Sequence, residues 1–187
     1  KAEEINSLSS QISDLNEQIY RLELSGDSAN ELRDQRTVLV DGLSRLADIQ
    51  VSETIVGTLP NGEDDIKFQI TLDGSYLVNH FESYDMECYR INDGSDNDGM
   101  YGIRWENTGS PVDIDGGELK AYLDIRDGAG TGNTYKGISY YTEQLDRFAG
   151  QMALAFNEGI FADGNRYYGG HAGGAGLDGS TGIRFFS

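Results

Sequence analysis

Few residues in this chain have the type and spacing that chemistry needs. Asp93-Gly94-Ser95-Asp96-Asn97-Asp98-Gly99 resembles part of a calcium loop. With Gly99 at the invariant glycine, Asp96 and Asp98 fall at the third and fifth ligand positions. Gly94 then takes the first position and Trp105 the twelfth, so the two strongest oxygen ligands are missing. The stretch reads as a polar inter-strand loop. Gly174-Ala175-Gly176-Leu177-Asp178-Gly179 has the spacing of a dinucleotide fingerprint, but that motif works only between a strand and a helix N-terminus. No helical pattern follows it. Gly173 to Thr181 also resembles one calcium-binding nonapeptide, yet Ser180 replaces the apolar residue and a single copy cannot stack.

Nucleophilic catalysis has equally little material. His80 and His171 are the only histidines, and neither lies in a nucleophile motif. His80 reads as a strand-end residue and Cys88 as a small buried hydrophobe. Carboxylates are so abundant that paired ones carry no information. Arg36 and Arg126 stand out beside Asp34, Asp124 and Asp127, but such short separations do not face each other on a helix. Charge pairing across a helical bundle is the expected role of both arginines. The expectation is therefore no catalytic residue, no metal and no cofactor.

Composition narrows the class further. Acidic residues outnumber basic ones 32 to 14, giving a formal charge of −18. Such a surface repels phosphate backbones and anionic lipid, which argues against nucleic acid or membrane partners. No apolar run approaches the ~20 residues of a membrane span. One cysteine excludes an internal disulfide framework. Hydrophobic content of 37 % with 25 glycines suggests an elongated molecule with a modest core. The start at Lys1, already in heptad phase at Ile5, reads as part of a longer chain.

The strongest signal is periodic. Ile5, Leu8, Ile12, Leu15, Ile19 and Leu22 recur at intervals of 3, 4, 3, 4 and 3, a heptad seam. Gly26 can close that helix, and Ser28-Ala29-Asn30-Glu31 has the form of a capping box. A second helix then carries Leu32, Leu39, Leu43 and Leu46, with Arg36 interrupting the seam. Helices at 1–25 and 28–48 joined so closely form an antiparallel hairpin. A further helix must cover the remaining seam. Ile138, Tyr141, Leu145, Phe148, Met152 and Phe156 return at helical spacing and are expected to do so.

Between these parts the period changes to two. Ile49 to Ile55 and Ile66 to Leu72 alternate apolar and polar residues, and Asp73-Gly74 turns the second run into Ser75 to Val78. Weaker strand patterns cover Glu87 to Ile91, Tyr101 to Trp105 and Val112 to Ile114. A short helix is predicted from Glu118 to about Asp127. The predicted fold is α+β: an elongated helical bundle from 1–49 and 116–187, with a mainly antiparallel β domain inserted at 50–115. Residues 159–187 read as an irregular Gly-rich tail. Three seams that satisfy one another would leave the chain monomeric.

At this point the stretches resemble a known family. Ile5-Asn6-Ser7-Leu8, Gln11-Ile12, Leu15 to Ile19 and Asn30 to Arg36 are similar to the helical hairpin of the flagellar hook-associated FlgK family. Gly117-Glu118-Leu119, Leu123 to Asp127, Gln144-Leu145-Asp146 and Ala155-Phe156-Asn157 resemble its returning helices. Gly176-Leu177-Asp178, Gly179, Gly182 and Phe185-Phe186 resemble its post-helix motif. The likeness is weak across 50–115. The family usually has a histidine shortly after the Phe-Asn pair; here Gly159-Ile160 follows, and the His-Gly element returns at His171 with 163–170 inserted.

The resemblance implies an extracellular structural protein, exported through the flagellar secretion system, that joins hook to filament. It implies other copies of the protein, neighbouring hook and junction proteins, and an export chaperone for the parent as partners. The alternative from another class is a cation- or carbohydrate-binding surface module, acting through Trp105, Tyr101 and the Asp93–Asp98 loop of the β domain.

Overall fold

The computed structural model describes the chain apart from residues 61, 95–97, 131–134, 163, 164 and 187, and for 160–168 it describes the backbone alone. Helix α1 spans Ala2–Leu24. Its end is set by Gly26 at φ +88°, whose N–H reaches the Glu23 carbonyl while that of Asp27 reaches Leu22. This is how a left-handed glycine satisfies the last carbonyls of a helix. Helix α2 spans Asn30–Leu46 and begins after Ala29 with no side-chain cap, so the expected capping box at Ser28 does not form.

Four strands follow in the order β1 (Ile49–Thr58), β2 (Asp64–Leu72), β3 (Ser75–Asn79) and β4 (Glu82–Ser83), each antiparallel to the next. The β1–β2 register runs from Ile49↔Leu72 to Ile55↔Ile66, with a bulge before Gly57↔Asp65. Asp73 and Gly74 both take positive φ, 49° and 70°, as a tight two-residue hairpin turn requires. A separate pair, β5 (Met86–Arg90) and β6 (Tyr101–Trp105), is antiparallel as well. The stretch expected as a strand at Val112 to Ile114 forms none; the adjoining chain contributes a single bridge between Arg104 and Pro111.

The α+β class stands, but the hairpin packs differently from the bundle the spacing suggests. Ile5, Ile12, Leu43 and Leu46 share one core with Phe68, Ile70, Leu72, Leu77 and Val78. Strands β2 and β3 have one apolar face, which must be covered, and the α1 seam covers it. The buried face of α1 runs Ala2, Ile5, Ser9, Ile12, Asn16, Ile19. That stripe shares Ile5, Ile12 and Ile19 with the predicted seam but is rotated towards Ser9 and Asn16. Leu15 is buried at its margin, whereas Leu8 and Leu22 are only half-buried. On α2, Leu43 and Leu46 are buried, and Leu32 and Leu39 are half-buried. The strands are therefore no separate inserted domain. The compact units are Lys1–Leu123 and Asp124–Ser187, so neither division expected at 49/50 or 115/116 is found.

Helix α3 (Gly117–Asp127) starts against the C-terminus of α2. Gly117 has φ +82°, and a Cβ there would lie 2.6 Å from the Leu46 carbonyl and the Ala47 nitrogen. Gly117→Ala combines backbone strain with a clash against main chain, and is expected to cost about 2 kcal/mol in urea unfolding. Gly26→Ala, at similar φ but in open space, should cost about half as much.

The second unit holds α4 (Ile138–Glu158), the antiparallel strands β7 (Gly159–Ala162) and β8 (Asn165–Gly169), and a 3-10 turn at His171–Gly173. The tail is thus more regular than expected. Within this unit the α4 seam is left uncovered. Leu145, Phe148, Met152 and Phe156 are 66, 65, 39 and 58 % exposed, and Ile138 and Tyr141 are exposed with them. Within its own unit this helix thus carries an apolar face still to bury.

Candidate functional site: a buried polar clasp and an exposed helix face

The residues singled out for chemistry form no common site within either unit among the described residues. Among the described residues no three His, Cys, Asp or Glu side chains are grouped to hold a metal. Asp96, with residues 95 and 97 of the acidic loop, lies outside the described residues. Trp105 is 5 % exposed and belongs to the core, whereas Tyr101 is 62 % exposed, so the two aromatics of the alternative reading share no surface. Cys88 is exposed on β5, contrary to the expectation of burial, because the two-stranded ribbon leaves it open to solvent.

The glycine-rich stretch folds as a closed turn. Gly176 donates to Ser180 O (2.8 Å) and Gly179 to Gly176 O (2.9 Å), with a bridge between Ala175 and Thr181. Asp178 Oδ1 accepts from Ser180 Oγ (2.6 Å) and Ser180 N (3.0 Å), which holds its carboxyl below the usual range. A carboxylate committed to its own turn and no following helix leave no cradle for a pyrophosphate.

Two polar devices do organise the units. In the first, α2 places Arg36 inside the hairpin–sheet contact. Its Nη1 donates to Asn16 Oδ1 on α1 (2.8 Å), its Nη2 to Glu53 Oε1 on β1 (3.1 Å), and its guanidinium lies 3.8 Å from the centre of the Phe68 ring on β2. Asn16 Nδ2 in turn donates to the backbone oxygen of His80 (2.7 Å), in the turn between β3 and β4. Burial lowers the Arg36 pKa from its ordinary value, opposed by Glu53; a guanidinium nevertheless remains charged throughout the physiological range. The arginine that interrupts the seam thus ties helix to helix and both to the sheet. Arg126 bonds its neighbour Asp127 at 2.5 and 2.7 Å.

In the second device, buried Asn157 near the end of α4 pins the tail. Its Oδ1 accepts from Phe185 N (2.8 Å) and Phe186 N (3.0 Å), and its Nδ2 donates to Phe186 O (2.7 Å). Phe186 then meets Phe156 with ring centres 5.9 Å apart, and Phe185 meets His171 at 5.8 Å. Asn157→Ala leaves two backbone N–H groups without their acceptor and is expected to cost about 1.5 kcal/mol. The amides of Phe185 and Phe186 should lose hydrogen-exchange protection while those of β2 keep theirs. Neither Asn16 nor Asn157 was predicted as a site residue. A polar residue beside an apolar stripe, in each case, was the available signal.

Devices that tie helices, sheet and tail together are what a structural part needs, and the family likeness agrees. The chain matches the flagellar hook-associated protein FlgK helical domain across residues 1–186. It belongs to that family. It is 31 % identical over 172 residues to flagellar hook-associated protein 1 of Bacillus subtilis (strain 168), a match covering 83 % of this chain and 32 % of that protein. It is also similar to the solved flagellar hook junction protein FlgK from Burkholderia pseudomallei, with a TM-score of 0.52 and 27 % identity over 65 % of this chain and 21 % of that one. The FlgK-type chain described here thus spans about a third or less of the length of these relatives.

Proposed function

We propose that this FlgK-type chain is a structural part of a protein that joins hook to filament in the bacterial flagellum, and that it performs no catalysis. Its place is extracellular, reached through the flagellar secretion system. Its partners are other copies of the same protein and the neighbouring hook and junction proteins, with an export chaperone serving the parent before assembly. The family membership carries the proposal. The exposed seam of α4 supports it, since an apolar stripe of this length on a chain of charge −18 is a surface for further packing.

Replacing Leu145 and Phe148 together by Asp in the parent gene tests this reading. Neither side chain is buried in the chain, so the fold should survive. Cells should then export the variant yet carry hooks without stable filaments, and swim poorly. Full motility with normal filaments would contradict a junction role for this face.

A further inference from the structure

His80 sits where α1, α2 and the sheet meet. Its backbone N–H donates to Phe68 O (2.8 Å) and its carbonyl accepts from Asn16, so the turn bearing it is held at both ends. It also has φ +64°, a left-handed conformation that few side chains adopt. The imidazole is stacked 3.6 Å from Phe81 and lies edge-on to Tyr20 at 6.1 Å. Its Nδ1 is buried and has no hydrogen-bond partner.

The charges around it are set by three elements. Lys67 and Asp65 face it from β2 and Arg36 from α2, while Arg33 and Glu23, paired at 2.6 Å, line the same small cavity from α2 and α1. Three cations and two carboxylates surround the ring, and one carboxylate is already spoken for. The cavity holds about 10 Å³, room for about one water.

We propose that His80 makes the docking of the α1–α2 hairpin on the sheet sensitive to acid: the neutral imidazole keeps the clasp closed, and the imidazolium loosens it. A second ring proton would turn buried Nδ1 into a donor with no acceptor in the protein, and would add charge beside Arg36 and Lys67. Because the His80 carbonyl holds Asn16, and Asn16 holds Arg36, displacement of this turn breaks the chain of bonds that joins sheet, α1 and α2.

Burial keeps the His80 pKa below its ordinary 6.5, and Lys67 and Arg36 push the same way against Asp65. The unfolded chain therefore binds this proton more readily than the folded one. Stability is full above about pH 6.5, the unfolded value, and falls with pH below it until the folded value is passed.

The test measures unfolding of the 187-residue chain in urea between pH 8 and 5, beside His80→Asn, which tolerates the left-handed backbone and cannot titrate. The unfolding constant of the wild type should rise relative to the variant by up to about tenfold per pH unit below 6.5. The chain has only two histidines, so imidazole NMR of the wild type follows His80 even where the variant folds poorly. Its signals should titrate below the free-imidazole value, with hydrogen-exchange protection of β3 and α1 amides lost in step. Parallel stability profiles, or His80 titrating at or above its ordinary value with unchanged protection, would overturn the proposal.

Discussion

Ile12→Asp is expected to remove about 4 kcal/mol of stability from the hairpin–sheet unit. Ile12 is fully buried in the core it shares with Phe68 and Ile70. Losing its side chain sacrifices roughly 2–5 kcal/mol of packing on the scale of large-to-small core changes. The carboxylate that replaces it adds desolvation on top, relieved in part when the group takes up a proton and becomes neutral. The loss should therefore shrink as pH falls. A change of this size approaches the whole stability of a marginal domain, so the variant is measured at low temperature or by its loss of a cooperative urea transition.

Arg36→Ala is expected to cost about 3 kcal/mol by the same measurement. Glu53 is 48 % exposed at its side chain, and its ion pair with Arg36 contributes less than about 1 kcal/mol after solvent screening. The larger part comes from inside. Asn16 Oδ1 loses its donor in a buried position, and the face of Phe68 loses the guanidinium stacked on it. Arg36→Met keeps much of the volume and should recover about half of the loss. Equal losses for both variants would assign the whole effect to polar bonds and none to packing.

These two residues also mark what the sequence could and could not disclose. The seam from Ile5 to Leu22 was legible because a buried helix face must repeat at 3.5 to 3.6 residues. Its partner was not, since the same spacing serves a helix packed on a helix or on a sheet. Ser9 and Asn16 carried the missing information. Small and polar residues beside the seam allow strands to approach and give Arg36 something to bond. The β2 alternation was legible in the same way, and Phe68, Ile70 and Leu72 do face a core, but alternation does not say which layer supplies the other half. Arg36 was conspicuous as a charge in an apolar row; its partners on α1 and β1 depend on tertiary register, which no local pattern encodes. The Phe-Asn pair at Phe156-Asn157 was visible as a family motif, and only the fold gives it a physical task.

The central claim is that the α1 seam is buried against the sheet within the first unit, while the α4 seam has no cover within the second. Comparing urea unfolding of Ile12→Asp with that of the Leu145→Asp, Phe148→Asp double variant, both in the 187-residue chain, tests it most directly. The hairpin–sheet core predicts a loss of about 4 kcal/mol for the first and a change within about 0.5 kcal/mol for the second, as for a surface substitution. Similar large losses in both would mean that the α4 seam is a buried part of the folded chain, and would contradict the account.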